Sequence, residues 1–316
     1  MDPTTRVDPA AATADSWWSG TAMATTAQLC VAGATVAPEA FAAAGRLLRE
    51  IERELSRFLP TSDVGRLNAS NGDWIRVGRH LRPVVEAAER ARLLTGGAFD
   101  AITGPASAAA SPRVRFSQRD GRTYARLDPH ARLDLGGIAK GYAADLVCEQ
   151  FADAPGVLAA LGTSSISVRG QPSTRPSWRI ALRSPWLEPT ESLGYLEVGG
   201  GALSISGVSG ARIGDGPVVP AHVVDPRTGR PPRTDLCTVG VLAGDGMTAE
   251  AWSTAFLVLG AQKTLDLCRE HHLDALLLTA GGEIRATPRL ADSIRLRSGV
   301  ARTMAHLRWA SSRRRR

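Results

Sequence analysis

Apolar residues recur at helical spacing in some stretches of the chain and cluster in short runs in others. Between residues 39 and 58, one side of a helix would carry Phe41, Leu47, Leu48, Ile51, Leu55 and Phe58. Similar patterns predict helices over 81–95, 138–151, 247–259 and 261–271. Short runs between turn residues predict strands over 25–31, 124–133, 157–161, 166–168, 178–182, 195–198, 202–206, 239–243, 275–278 and 283–286. Short strands alternate with helices without a regular βαβ period, so we predict an α+β fold of mixed sheets flanked by helices.

Composition places the chain among soluble globular proteins. Its 316 residues are 43% hydrophobic and 22% charged, which is enough apolar material to exclude a fully disordered chain. We expect a loose polar leader over residues 1–20, one domain or two subdomains over 21–290, and an Arg-rich tail over 291–316. No run approaches 18 apolar residues, so we predict no transmembrane segment.

The net charge of +7 comes from one end of the chain. Residues 285–316 contain ten Arg and one acid, whereas residues 1–284 contain 28 basic and 30 acidic groups. The nearly neutral body therefore predicts no specific nucleic-acid partner, and the tail is expected to be a solvated terminus. Weak contact of the tail with RNA or with an anionic membrane surface remains the alternative. Only two Lys occur, Lys140 and Lys263, against 36 Arg.

Cysteine usage and the first residues indicate the compartment. Four scattered Cys form no CxxC motif, which is typical of buried apolar side chains in a reducing environment. The first twenty residues contain three Asp and lack the apolar segment of a secretory signal. We therefore expect a cytoplasmic protein, with a membrane-associated partner still open.

The common catalytic signatures, GxxxxGK[ST], GxGxxG between a strand and a helix, HExxH and GxSxG, are absent from the sequence. Four segments instead combine glycine or small residues with polar groups: 95–100, 134–142, 221–229 and 248–254. Taken singly, each segment is also explained by a helix cap or a turn.

Taken together, these segments predict an ion and phosphate site. Asp134 precedes a Gly-Gly turn that opens a helix, where free N–H groups and a bare carbonyl can approach a ligand. Glu250 and Thr254 are four residues apart, which places a carboxylate and a hydroxyl on the same face of one helix. Mg²⁺ prefers such hard oxygen ligands when it also binds phosphates.

In this order along the chain, the motifs resemble those of the ApbE family, the FAD:protein FMN transferases, over about residues 20–290. The matching segments are Met23-Ala24-Thr25, Ser56-Arg57-Phe58, Ser62-Asp63-Val64, Leu67-Asn68, Gly97-Ala98-Phe99-Asp100, 134–145, 204–207, 222–229 and 249–260. Two positions depart from the family pattern: Glu250 replaces an Asp, and Gly162-Thr163-Ser164-Ser165 replaces a Gly-Gly turn.

The resemblance implies an ApbE-like fold and a reaction in which FAD and a protein threonine give a phosphoester-linked FMN-threonine and AMP. It implies an acceptor flavoprotein as partner, and Mg²⁺ bound by Glu250, Thr254 and the backbone carbonyl of Gly137. The residues that it places around the flavin nucleotide are Met23, Phe58, Ala98, Phe99, Asp100, Asp134, Lys140, Ser206 and Gly207.

His222 is the best candidate for the general base, because an unperturbed imidazole has a pKa of about 6.5. Asp225 is the candidate that orients it. Two alternative functions remain open: a pyrophosphatase that splits FAD into FMN and AMP, and an FAD-binding paralogue without catalysis.

Overall fold

The computed structural model describes residues 15–104, 113–183, 191–207 and 223–297. The helices in these ranges are α1 (Pro38–Leu55), α2 (Asp63–Ala69), α3 (Leu81–Leu94), α4 (Ala139–Glu149), α5 (Gly246–Leu259), α6 (Ala261–His271) and α7 (Pro288–Ala291). The strands are β1 (Ser16–Ala22), β2 (Thr25–Ala32), β3 (Ile75–Arg76), β4 (Ile102–Thr103), β5 (Val114–Arg119), β6 (Arg122–Leu127), β7 (Arg132–Leu133), β8 (Gly156–Leu161), β9 (Ser165–Gly170), β10 (Trp178–Leu182), β11 (Gly194–Val198), β12 (Gly201–Gly207), β13 (Leu236–Ala243), β14 (Asp274–Thr279), β15 (Ile284–Ala286) and β16 (Ile294–Leu296).

An eight-stranded antiparallel sheet with the strand order β1-β2-β8-β9-β12-β13-β14-β15 organises the fold. The residues of strand β2 show that this sheet is buried on both faces. Leu29 and Val31 join the core formed with the helices, whereas Cys30 and Ala32 join a second core on the opposite face. The predicted α+β class with flanking helices is confirmed, whereas the sheets of the described residues are antiparallel rather than mixed.

Each face of this large sheet has its own cover. Helices α4 and α5 pack on β8, β9, β12 and β13, with Phe256 fully buried between the layers. The opposite face is covered by a three-stranded sheet of order β10-β11-β16, whose Trp178, Leu196 and Ile294 are buried. Small sheets β3-β6-β5 and β4-β7 lie beside α2. No helix in the described ranges is long and apolar enough to cross a membrane.

Several elements were absent from the sequence prediction, among them strand β1, helix α2 and strand β5. Strand β1 begins at Ser16, so the predicted leader over residues 1–20 was wrong from that residue onward. Its side chains alternate between exposed and half-buried, and its pairing partner β2 defines it as a strand. Helix α2 lies in the polar stretch after α1, where Ser62 caps it by accepting the Gly65 N–H at 2.8 Å. Strand β5 contains polar and charged residues at alternate positions and is held by β6.

The predicted basic tail over residues 291–316 also began too early. Residues 294–296 form β16, which pairs with β11, and the Ile294 side chain is buried in the second core. Residues 298–316 lie outside the described residues.

We expect deletion of residues 291–316 to lower the free energy of unfolding by about 3 kcal/mol, because it removes β16 and leaves a cavity in place of Ile294. Deletion of residues 298–316 retains the strand and should leave stability nearly unchanged. Urea unfolding of both truncated proteins tests this difference. Equal midpoints for the two truncations would contradict the assignment of β16 to the fold.

Candidate functional site

A cleft of about 1570 Å³ opens at the large sheet, and residues of both cores contribute to its lining. The sequence-predicted residues that line it are Met23, Phe58, Ala98, Phe99, Asp100, Asp134, Gly137, Lys140, Ser206, Gly207, Glu250 and Thr254. His222 lies outside the described residues, so its role stays a prediction. The structure thus brings segments that are distant along the chain together in one cleft.

The hairpin between β1 and β2 carries Met23 into this cleft. Met23 and Ala24 form the two central positions of the turn with φ values of 52° and 57°. Left-handed values at both positions match the twist of a two-residue hairpin, although side chains other than glycine seldom adopt them. The short turn thereby places Met23 at a defined point on the cleft wall.

An aromatic and a cationic side chain form the rim of the cleft. Phe58 follows α1 and is 71% exposed, and the Arg57 guanidinium lies 4.7 Å above its ring. Arg57 also forms an ion pair with Asp134 across the cleft. Arg57 lies in the Ser56-Arg57-Phe58 motif, from which no role for its side chain was predicted. An exposed ring beside a cation can contact both a flat heterocycle and an anion.

The turn that opens α4 is held by side chains on both sides. Asp134 Oδ1 accepts the Gly136 N–H at 2.9 Å, and the Asn68 amide pairs with the N–H and carbonyl of Leu133 at 2.7 and 2.9 Å. The Phe99 ring packs on Gly137, where an added Cβ would lie only 3.2 Å from Phe99 Cε2. Glycine therefore allows the backbone of this turn to form the cleft wall.

The segment after α3 provides a second wall. Ala98 and Phe99 are buried, and Asp100 accepts the Ile102 N–H at 2.8 Å. Burial raises the pKa of the Asp100 carboxyl above its usual value. Asp100 thus contributes a half-buried carboxyl group to the lining of the cleft.

Helix α5 is fixed at its first turn by two aspartates. Asp245 is its N-cap and accepts the Thr248 N–H and hydroxyl at 2.8 and 2.7 Å. Asp145 of α4 accepts the Gly246 N–H at 2.7 Å and the Ser167 hydroxyl at 2.6 Å. Burial raises the pKa of Asp145 to about 6. These contacts hold α5 against α4 and β9, and so position the next turn of α5.

The next turn of α5 carries Glu250, which is only 3% exposed. Its Oε2 atom accepts the Gly141 N–H at 3.0 Å. Its Oε1 atom accepts the Ser165 hydroxyl and lies 3.0 Å from Lys140 Nζ. Lys140 Nζ also donates to the Gly136 carbonyl at 3.3 Å. The glycine-turn segment 134–142 and the α5 segment 248–254, which are far apart in the sequence, therefore meet at the Glu250 carboxylate.

Hydroxyl groups continue the site along the α5 and β12 interface. Ser206 Oγ lies 2.8 Å from Ser253 Oγ and 3.4 Å from Thr254 Oγ1, and Ser204 Oγ lies 3.0 Å from Ser253 Oγ. Ser253 was not among the predicted site residues. Its place in the polar segment 248–254 was the available sequence signal, and the structure shows that the side chain is buried.

The donor set fits a hard divalent cation. Glu250, Thr254 and Gly137 contribute a carboxylate, a hydroxyl and a backbone carbonyl to the same cleft, all of them oxygen ligands. An added Cβ on Gly137 would lie 3.6 Å from Thr254 Oγ1, so the α4 turn and the α5 helix approach closely at this point. In this structure the positive charge that lies beside Glu250 is the Lys140 ammonium.

A cluster of two glutamates and a histidine lies away from the cleft. Glu50, Glu54 and His80 bring their ligand atoms within 4.8 Å of one another. Arg79 pairs with Glu50 at 3.1 Å, and Tyr142 Oη lies 3.0 Å from His80 Nδ1. Burial lowers the pKa of His80. These contacts form a network that links α1, α3 and α4.

Asp225 shapes a turn beside the cleft. Arg227 Nε and Nη2 each donate to its carboxylate at 2.9 Å, and this pairing lowers the pKa of Asp225. Asp225 is absent from the cleft lining, whereas its neighbours Val224 and Pro226 belong to it. The proposed contact between Asp225 and His222 stays a prediction.

The fold and the cleft define an α+β protein whose large cleft is lined by oxygen-bearing side chains beside a glycine turn. The ApbE family model matches residues 21–277, and the chain belongs to this family.

Similar proteins agree with this assignment. Over 181 residues the chain is 28% identical to an FAD:protein FMN transferase of Salmonella typhimurium, an alignment that covers 54% of this chain and 49% of that protein. It is 28% identical over 288 residues to one from Treponema pallidum, with 79% and 80% of the two chains covered. The chain thus spans about half the length of the first relative and four fifths of the second.

A solved structure shows the same fold. The flavin transferase ApbE from Vibrio cholerae superimposes with a TM-score of 0.73 at 23% identity, covering 89% of this chain and 99% of that one.

Proposed function

We propose that this protein transfers FMN from FAD to a threonine hydroxyl of an acceptor flavoprotein and releases AMP, with Mg²⁺ as cofactor. The observation that supports this proposal most directly is that the glycine turn before α4 lies beside Glu250 and Thr254 in one cleft. Membership of the ApbE family, whose relatives are named FAD:protein FMN transferases, supports the choice of reaction.

The dimensions and lining of the cleft suit a dinucleotide. Its volume of about 1570 Å³ exceeds that of a typical pocket for a drug-sized ligand. Met23, Phe58 and Phe99 offer apolar surface to the flavin ring, and Arg57 and Lys140 offer positive charge to the pyrophosphate. This division of apolar and cationic groups matches the two chemical parts of FAD.

Phosphoryl transfer is driven mainly by positioning and by stabilisation of charge on the phosphate oxygens. Gly137, Glu250 and Thr254 would hold Mg²⁺, which supplies Lewis-acid stabilisation of that charge when it is bound. The first-turn N–H groups of α4 and the Lys140 ammonium add further positive potential on the same wall.

In this proposal the acceptor hydroxyl attacks the phosphorus on the FMN side of the pyrophosphate, and AMP leaves. His222 takes the proton from the threonine hydroxyl, and Asp225 orients the imidazole. Both roles rest on the match of residues 222–229 to the family motif.

The function is tested by incubating the protein with FAD and Mg²⁺, with and without a threonine-containing acceptor peptide. The proposal predicts AMP and an FMN-modified peptide, seen as a mass increase, only when the peptide is present. Release of FMN and AMP without an acceptor would instead identify a pyrophosphatase. Stable FAD binding without turnover in either sample would identify a non-catalytic paralogue.

We expect one FAD to bind per chain with higher affinity than FMN, because the AMP half buries additional surface in the cleft. Isothermal titration calorimetry with each flavin measures the difference. Equal affinities would show that the AMP half makes no favourable contact, and would argue against the transferase.

A further inference from the structure

The three donors to the Glu250 carboxylate differ in how firmly they are held. The Gly141 N–H belongs to the backbone of α4, and the Ser165 side chain is 1% exposed. Neither group can leave without disturbing buried structure. The Lys140 side chain lines the cleft and is 24% exposed. It is the one of these three partners that can move without disrupting the core.

Little else holds the Lys140 ammonium in place. Its other hydrogen bond goes to the Gly136 carbonyl at 3.3 Å, on the same cleft wall. A flexible four-carbon stem lets the ammonium turn toward the open cleft. The Glu250 side chain is only 4% exposed, so loss of the ammonium without a replacement would leave a buried charge poorly matched, and the pair is expected to separate only when another cation takes its place.

A divalent cation at Glu250 would encounter this ammonium directly. Lys140 Nζ lies 3.0 Å from Glu250 Oε1. A divalent cation bound to the same oxygen atom would lie close to this ammonium, and the two positive charges would repel each other. Any cation that coordinates this carboxylate atom therefore has to displace Lys140.

We propose that Lys140 is an exchangeable counter-charge. It neutralises Glu250 until a divalent cation takes its place, and the released ammonium then binds a phosphate group of the ligand in the cleft. Only the identity of that phosphate ligand rests on the proposed function, because the exchange at Glu250 requires no flavin.

The exchange predicts positive coupling between binding of the divalent cation and binding of the phosphate ligand. A cation that displaces Lys140 frees a positive charge for the phosphate, and a phosphate that draws Lys140 away frees Glu250 for the cation. By linkage, each ligand strengthens binding of the other by the same factor.

The first test measures Mn²⁺ affinity by electron paramagnetic resonance at pH 8 without nucleotide. We expect Lys140→Met and Lys140→Gln to bind Mn²⁺ about threefold to tenfold more tightly than the wild type, because the competing charge is gone. Lys263→Met is the matched control, since this other lysine is exposed on α6 and should have no effect. Unchanged or weaker Mn²⁺ binding in both folded Lys140 variants would overturn the exchange.

The second test adds FAD to the same proteins. We expect FAD to strengthen Mn²⁺ binding to the wild type at least about threefold, and this effect to be smaller in Lys140→Met, where only the direct contact between the cation and the phosphate remains. Full coupling in Lys140→Met would overturn the role of the released ammonium. Absence of FAD binding to the wild type would refute the proposed function, while the Mn²⁺ result without nucleotide would still decide the exchange at Glu250.

Discussion

Glu250→Gln should lower Mg²⁺-dependent FAD turnover at least about a hundredfold, because the loss of several kcal/mol of metal-based charge stabilisation raises the barrier accordingly. Gln preserves the volume of the buried side chain and can still accept the Gly141 N–H. It removes the negative charge that Lys140 and a divalent cation both require. Steady-state release of AMP at several Mg²⁺ concentrations measures the change.

Two further substitutions sharpen this test. Glu250→Asp keeps the charge but withdraws the carboxylate by about 1.5 Å, so we expect it to retain part of the turnover. Glu270→Gln, on the exposed end of α6, is the control for loss of one carboxylate elsewhere and should behave as wild type.

Mg²⁺ dependence like that of the wild type in Glu250→Gln would exclude Glu250 as a metal ligand. Thr254 would then be the next anchor to test. Asp245 is the less suitable substitute, because both of its carboxylate oxygens already accept hydrogen bonds from Thr248 at the start of α5.

Gly141→Ala should lower the free energy of unfolding by roughly 3 kcal/mol and damage the site at the same time. Helices α4 and α5 cross at Gly141 and Gly246, and a methyl group on Gly141 would overlap the Gly246 carbonyl and lie 2.9 Å from its Cα atom. Both neighbours are backbone atoms, so the helices themselves have to separate. That movement would pull Gly137 and Lys140 away from Glu250 and Thr254.

Catalytic geometry tolerates such movement poorly, and a displacement of about 1 Å costs on the order of a hundredfold in rate. Urea unfolding and AMP release measure the two effects in Gly141→Ala. The matched control is Gly199→Ala, because an added Cβ there has no neighbour within 4 Å. A Gly141→Ala protein as stable and active as the control would show that the α4–α5 crossing can relax freely.

The sequence alone determined the long helices and the strands of the sheet core. Helix α1, for example, repeats apolar residues at helical spacing, and the observed limits Pro38–Leu55 lie within three residues of the prediction. Such patterns are local, so the residues themselves contain the information. The same holds for Glu250 and Thr254, whose spacing of four residues places them on one face of any helix.

Tertiary structure decided the elements that lack an apolar pattern. Strands β1 and β5 are half-exposed and exist because β2 and β6 supply their hydrogen-bonding partners. Strand β16 follows the same logic, since pairing with β11 draws part of a basic segment into the second core. Pairing between strands depends on distant residues, which local propensity does not contain.

The tertiary structure also decided what surrounds the predicted carboxylate. Ser165 and Gly141 are 85 and 109 residues from Glu250 along the chain, yet both donate hydrogen bonds to it. The sequence identified Glu250 and the Gly162–Ser165 segment as separate departures from the family pattern, with no indication that they meet. Only the packing of α4, α5 and β9 brings these groups together, because a buried charge has to be matched by donors from whichever elements enclose it.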